Sequence, residues 1–242
     1  QKKSGLLILI DEFDILKDKS GFASLVKTCS SKFVKFGIVG IGESTEDLIE
    51  DHASIGRQIS SILVKPMNTK ELKQIIIHAE KALKKAITFD SKVKDDIVKE
   101  AEGFPYFVHL LGKECLISAF KRKLKIVSEE LYCEVKENLI KGKIRLTQEF
   151  RYVEVCRTSE ERELILRLFA LSDENKILIE DIYNQARDYG IEKPSNFMDI
   201  LTEKGKIAAI LIYSRDRRHV RFSDPILKVY IKKREPIHER NK

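Results

Sequence analysis

The sequence predicts an α/β fold: part of a parallel sheet, followed by an α-helical region and a C-terminal winged helix-turn-helix domain. Three observations predict it. The run Leu6–Ile10 is entirely apolar, which is typical of a central parallel strand covered on both faces. From Asn68 onward, apolar residues recur at the three- and four-residue spacing of amphipathic helices. Near the C-terminus, short helical patterns precede two alternating segments, as in a winged helix-turn-helix.

Length and composition permit one large or two ordinary domains, since 43% of the 242 residues are hydrophobic. The four cysteines form no C-x-x-C pair, so neither a zinc site nor a disulfide framework is indicated. No apolar stretch approaches the ~18 residues that a membrane-spanning helix needs. We therefore expect a cytoplasmic protein with no membrane partner.

The basic excess of the chain is concentrated at its C-terminal end. Residues 206–242 hold eleven Lys or Arg and four Asp or Glu, a net charge of +7, so residues 1–205 are neutral. A concentrated positive field attracts polyanions. The sequence therefore predicts a nucleic-acid contact in this segment.

Two adjacent carboxylates, Asp11 and Glu12, directly follow the first predicted strand. The carboxyl end of a parallel strand opens into the ligand crevice of an α/β sheet. An Asp there can hold Mg²⁺, and a neighbouring Glu can polarise the water that attacks a γ-phosphate, which is Walker B chemistry. A core strand followed by a helix start explains the same two acids through capping and the helix dipole.

The phosphate-binding partner of such a pair is missing from the chain. No segment matches G-x-x-x-x-G-K-[ST], and the chain opens with Gln1 rather than Met. We therefore expect the C-terminal part of a longer protein whose phosphate loop lies upstream. This chain by itself is expected to be inactive as an ATPase.

Two further polar positions follow the acidic pair. The second predicted strand, Val34–Ile41, leads to Glu43 and Ser44, which can approach a ligand at the strand end or simply form a turn. Arg57 can stabilise charge on a transferring phosphate. Isolated arginines more commonly are solvated or hold structural ion pairs.

The rest of the chain divides by its periodicity. Residues 1–66 belong to the α/β core and residues 67–140 form a helical region, in which Gly103 ends one helix and Pro105 suits the first turn of the next. Residues 141–157 show no clear period and are predicted to be a connector. Thr158 begins a capping box that opens the winged helix domain, residues 158–234, and a basic tail follows at 235–242.

Taken in sequence order, these motifs resemble AAA+ ATPases of the initiator type and the related STAND signalling NTPases. The resemblance implies a partial P-loop NTPase sheet, with ATP and Mg²⁺ as cofactors. It also implies that Asp11 is the Mg²⁺-associated acid and that Glu12 activates water. The matching segments are Leu-Ile-Leu-Ile-Asp11-Glu12-Phe-Asp14, Gly37–Ile41, Ser54-Ile55-Gly56-Arg57, Gly103-Phe104-Pro105 and the terminal winged helix.

The same resemblance suggests roles for other residues. Glu43 stands where the initiator family has a sensor 1 Asn. Arg57 resembles an arginine finger or a STAND-type arginine, and a finger supplied to a neighbouring subunit implies a homo-oligomer. Tyr106 replaces the sensor 2 Arg, which favours the STAND-like branch, in which the Gly103-x-Pro105 turn packs near the adenosine of ATP or ADP.

Four arginines, Arg215, Arg217, Arg218 and Arg221, lie at or beside the predicted wing tip, within reach of DNA phosphates or a minor groove. The sequence thus predicts part of an ATP-dependent molecular switch that couples nucleotide state to a winged-helix module binding DNA or a protein partner. The alternative is a non-catalytic nucleic-acid-binding or scaffold protein with a degenerate ATPase-like fold.

Overall fold

The computed structural model describes residues 4–16, 18–42, 49, 59–202, 209–214 and 216–238. The chain separates into two compact units, residues 1–65 and residues 66–242. Helices alternate with small sheets in a mixed α/β arrangement, so the predicted mixture of elements is confirmed. Among the described helices, none is both long enough and apolar enough to cross a bilayer.

The first unit is built around a two-stranded parallel ladder. Phe13 is buried, and its ring centroid lies 4.5 Å from that of Phe22, so the connection between the strands packs on itself. Gly37 allows close approach, because a Cβ atom there would lie 2.6 Å from Leu9 Cδ2. The elements, in chain order, are β1 (Leu6–Ile10), a 3-10 turn (Phe13–Ile15), α1 (Phe22–Cys29) and β2 (Val34–Ile38).

The prediction that the first strand is covered on both faces is wrong for this structure. Leu6, Leu7 and Leu9 are 57%, 59% and 68% exposed. Within the described part of the chain, β1 has a single hydrogen-bonded neighbour, β2. The apolar run identified the strand and its parallel pairing, but it could not reveal how much chain packs against the strand's faces.

The second unit begins with four helices whose starts are set by local capping. Asn68 forms a capping box with Glu71, Ser128 accepts from the backbone N–H of Leu131, and Pro105 occupies the first helical turn. A short parallel ladder pairs the segment after the first of these helices with the segment after the third. The elements are α2 (Thr69–Ala82), β3 (Thr88–Phe89), α3 (Ser91–Glu100), α4 (Pro105–Lys121), β4 (Ile126–Val127) and α5 (Glu129–Ile140).

The predicted connector over residues 141–157 is wrong in its second half, which forms helix α6 (Thr147–Cys156). Tyr152 and Cys156 are wholly buried. The helical period is blurred because Gln148 is buried while Phe150 is 66% exposed, the reverse of the usual pattern.

The next helix, α7 (Glu160–Leu171), begins one residue later than predicted. Ser159, rather than Thr158, caps it by accepting from the backbone N–H of Arg162. The Thr158 hydroxyl accepts instead from the Arg162 guanidinium, at 2.6 Å. A side chain therefore caps the helix, but it belongs to Ser159 and not to Thr158, the residue that the sequence pattern indicated.

The C-terminal region combines short helices with a three-stranded antiparallel sheet in the order β5-β7-β6. The predicted hairpin is confirmed, with Ile212 of β6 opposite Arg221 of β7. The elements are β5 (Ile177–Leu178), α8 (Ile179–Asp188), a 3-10 turn (Pro194–Phe197), α9 (Met198–Thr202), β6 (Leu211–Tyr213), β7 (His219–Phe222) and α10 (Pro225–Lys233). One hydrophobic core runs from α2 to α10.

Candidate functional site

The acidic pair lies at the carboxyl end of β1, where the loop after β1 meets the loop after β2. The ladder continues past the strands, because Val39 N donates to Ile10 O and Phe13 N donates to Val39 O, both at 2.9 Å. Asp14 adds a third tie by accepting from Ile41 N at 2.9 Å. The two strand ends that the sequence singled out are therefore held side by side.

Glu12 has an unusual backbone conformation within this junction. Its φ of 52° and ψ of 38° lie in the left-handed region, and its N–H donates to Asp11 Oδ1 at 2.8 Å. A non-glycine residue in this region costs about 1–3 kcal/mol, and such strain clusters at functional sites. Both side chains are exposed, so the turn presents two adjacent carboxylates to solvent.

These donors fit Mg²⁺, a hard cation that takes one or two protein carboxylates together with water and phosphate oxygens. Asp11 keeps one carboxylate oxygen free of the contact with Glu12 N. Over the described ranges, no cluster of three or more His, Cys, Asp or Glu side chains converges on a point. The arrangement therefore suits a metal that arrives with a phosphate ligand better than one enclosed by protein.

Three of the predicted site residues, Glu43, Arg57 and Arg215, lie outside the described residues. The roles given to them by resemblance stay predictions. On the β2 side of the junction, the residues that the structure describes extend as far as Gly42.

Gly103 and Pro105 shape a helix junction in the second unit. Gly103 has a φ of 87°, and a Cβ atom at this position would lie 2.5 Å from Pro66 Cβ. Its carbonyl accepts from Met67 N at 2.9 Å, which ties the junction to the start of α2. Glycine is therefore required here for packing, and a contact with nucleotide stays a prediction.

Tyr106 follows this junction and is held within its own unit. Its hydroxyl donates to Oε1 of the buried Gln148 at 3.0 Å, and its ring meets Phe107 edge-on at 5.3 Å. Burial raises the pKa of Tyr106. The residue links α4 to α6, and its predicted place near adenosine is untested.

The hairpin places two of the predicted arginines in solvent. Arg217, with a φ of 52°, and Arg218 are exposed in the turn, whereas Arg221 is half-buried on β7. Asp216 organises the turn by accepting from the backbone N–H groups of Arg218 and His219 at 3.0 and 3.3 Å and by contacting His219 Nδ1 at 2.8 Å. Desolvation opposes ionisation, but these contacts lower the pKa of Asp216 to about 2.

The basic residues at the end of α10 are engaged in ion pairs that sequence reasoning missed. Lys233 lies 3.1 Å from Glu100 and 2.8 Å from Glu102, and Arg234 lies 3.0 Å from Glu149. No local signal could have revealed these pairs, because the acids belong to helices much earlier in the chain. These pairs neutralise part of the positive charge that the sequence predicted for this segment.

The segment after α10 is anchored on a buried carboxylate. Glu163, 2% exposed, accepts from Ile237 N at 2.6 Å and from His238 N at 3.0 Å, contacts His238 Nδ1 at 2.7 Å and also accepts from the Tyr152 hydroxyl. Burial alone would raise the pKa of Glu163, but these hydrogen bonds outweigh it and lower the pKa. The first residues of the predicted basic tail are thus part of the folded unit.

No protein-family model matches the chain, and no curated protein matches it. Among solved structures, it is similar to the Thermotoga maritima RuvB Holliday junction branch migration motor, with 17% identity over 95% of this chain and 70% of that chain and a TM-score of 0.48. It is also similar to the Aeropyrum pernix ORC1 protein in complex with DNA, with 16% identity over 93% of this chain and 63% of that chain and a TM-score of 0.46. Similarity of this strength assigns neither a family nor an activity to the chain.

Proposed function

We propose that the chain is part of a nucleotide-dependent ATPase switch, of the AAA+ or STAND type, that works with DNA or with a protein partner. The observation that carries the proposal is the junction at the carboxyl end of β1. Two adjacent carboxylates are exposed there. Hydrogen bonds to Val39 and Ile41 hold the surrounding loop in place. Ligands of open α/β sheets bind at this edge.

Asp11 and Glu12 have different roles in this proposal. Asp11 offers its free carboxylate oxygen to Mg²⁺, directly or through water, while its other oxygen accepts from Glu12 N and fixes the turn. Glu12 orients the attacking water and accepts its proton. The bound metal would supply charge stabilisation to the phosphate oxygens.

The test replaces Glu12 by Gln in the natural protein. An amide keeps the size of the carboxylate but cannot take the proton, so ATP turnover is expected to fall by about 100-fold or more. The affinity for ATP, measured with a fluorescent analogue, should stay unchanged. Unaltered turnover in this variant would contradict the assignment.

Asp18→Asn provides the matched control, since it makes the same acid-to-amide change at an exposed residue of the same unit. Asp18 accepts from Ser20 N, a local contact away from the acidic pair. The Asp18→Asn variant should turn over ATP as fast as the parent protein does. If neither parent nor variants turn over ATP, the function falls to the alternative, a non-catalytic nucleic-acid-binding or scaffold protein.

The hairpin supports the second half of the proposal. Arg217 and Arg218 are exposed on a turn that Asp216 makes rigid, a suitable arrangement for contacts with DNA phosphates. Arg221 lies on the adjoining strand. In this proposal the C-terminal region is a winged helix, and nucleotide state determines whether its surface is available to DNA or to a protein.

A further inference from the structure

Two helices of the second unit end side by side. Helix α2 ends at Ala82 and α4 at Lys121, and each leads through a turn into one strand of the β3–β4 ladder. The ladder is parallel, with Thr88 opposite Ile126, and Thr88 N donates to Lys125 O at 2.9 Å. Because paired strands lie about 4.8 Å apart, the two turns are neighbours.

These turns form a surface, here named the helix-end patch, that is rich in cations and lacks acids. Residues 81–89 and 116–128 contain no Asp or Glu. Arg122 pairs with Glu134 at 2.5 Å. The remaining cations are exposed, and their ammonium groups have no ion pair or hydrogen bond with the described residues. They are Lys81, Lys84, Lys85, Lys121, Lys123 and Lys125.

The same patch exposes large apolar side chains. Phe120 is 77% exposed and Ile126 is 56% exposed, while Leu83 and Leu124 are each 41% exposed. Lysines at helix ends are explained by the helix dipole or by solubility. Neither explanation accounts for an aromatic ring left in water among them, and neighbouring exposed apolar residues mark an interaction site.

Three of these lysines also occupy strained backbone positions. Lys84, Lys85 and Lys123 have φ values of 50°, 58° and 57°, in the left-handed region where helices normally end with glycine. Lys85 N donates to Glu80 O and Leu124 N to Ala119 O, so the turns are well formed. Lysine is thus retained at three positions where glycine would relieve backbone strain.

We propose that the helix-end patch binds single-stranded nucleic acid, using residues distinct from the hairpin arginines. The lysines contact phosphates, and the ring of Phe120 stacks on an unpaired base. A duplex hides its base faces and would leave this ring in water. A bilayer surface fits less well, because Leu83 and Leu124 are more than half covered and offer little area for insertion.

The first test measures binding of a fluorescein-labelled oligothymidylate by fluorescence anisotropy across a salt series. The 242-residue chain is used with Arg215, Arg217, Arg218 and Arg221 already replaced by Ala, so that the hairpin arginines do not contribute. Replacing Lys121, Lys123 and Lys125 together by Gln should weaken binding and reduce the slope of log K against log salt by about 2.

The matched control replaces three other exposed lysines, Lys99, Lys143 and Lys193, by Gln. Their ammonium groups also have no ion pair or hydrogen bond with the described residues, and they lie outside the patch. The total charge change is the same, so a difference between the two triple variants reports position. Equal binding by the two would overturn the proposal.

Phe120→Leu tests the stacking step, since leucine is apolar but lacks a π face. Binding should weaken about tenfold, with the salt slope unchanged. The side chain is exposed, so the thermal unfolding midpoint should not move. An unchanged affinity would overturn base stacking at this position.

Two other probes test whether the helix-end patch binds a different ligand instead of single-stranded nucleic acid. Binding to phosphatidylserine vesicles, or to a polyglutamate peptide, without binding to the oligonucleotide would overturn the proposal in favour of a membrane surface or an acidic protein. None of these variants touches Asp11 or Glu12, and the hairpin arginines are removed throughout. A negative result therefore leaves the proposed ATPase and hairpin functions standing.

Discussion

Two basic regions of the second unit differ in whether their lysines and arginines are paired with acids. In the C-terminal segment, which holds the whole net charge of +7, Lys233 and Arg234 are paired with acids of earlier helices. The helix-end patch lies in a part of the chain that is neutral in sum, yet six of its lysines are unpaired with the described residues. Net charge along a sequence is thus a poor guide to a polyanion-binding surface, because folding decides which charges are neutralised.

The difference between the two regions requires the C-terminal segment to be firmly attached to its unit. Glu163→Gln should destabilise the chain by about 3 kcal/mol, because an amide donor replaces an acceptor that faces the N–H groups of Ile237 and His238. Urea unfolding at neutral pH measures the change. A midpoint equal to that of the parent chain would show that the segment contributes nothing to the fold.

Removing cations from the two regions separately should change the stability of the fold by different amounts. Arg234→Gln should cost about 2 kcal/mol, because it removes charge-assisted hydrogen bonds to Glu149 at 3.0 and 3.1 Å. The triple replacement of Lys121, Lys123 and Lys125 by Gln should change stability by less than about 0.5 kcal/mol. Similar losses in both would remove the distinction between paired and unpaired regions.

Acid should also loosen the C-terminal segment. The hydrogen bonds that Glu163 accepts lower its pKa in the folded chain, so they contribute stability above its unfolded pKa, about 4.3, which is lost as the pH falls through the lower folded pKa. The urea midpoint of the parent should therefore drop on acidification more than that of Glu163→Gln. Parallel drops in the two proteins would assign acid sensitivity to other groups.

The smallest expected effect concerns the hairpin. Replacing Arg215, Arg217 and Arg218 by Ala should weaken duplex DNA binding modestly and flatten its salt dependence, with each lost phosphate contact removing about 0.9 from the slope. Anisotropy with a labelled duplex measures both quantities. An identical slope in the variant would exclude the hairpin from the contact.

Local patterns in the sequence predicted the elements well where a local cause decides them. The capping side chain of Ser128 and the fixed backbone of Pro105 set helix starts whatever the rest of the chain does. The parallel strand β1 was predictable for the same reason, and so was the position of Asp11 and Glu12 at its carboxyl end.

Features that depend on distant residues could not be predicted. Helix α6 escaped notice because its Gln148 is buried and accepts a hydrogen bond from Tyr106, which lies on another helix. The helix-end patch was missed because Lys84 and Lys123 are far apart in sequence and become neighbours only through the β3–β4 ladder. The net charge of a sequence segment does not reveal that lysines from two distant segments lie close together in the fold.

The anchoring of Ile237 and His238 on Glu163 has a practical consequence for anyone shortening this protein. Ending the chain at Glu235 would remove the backbone N–H donors of Ile237 and His238. It would leave a buried anion with Tyr152 as its remaining hydrogen-bond donor among the contacts described above. Such trimming should accordingly yield poorly expressed material.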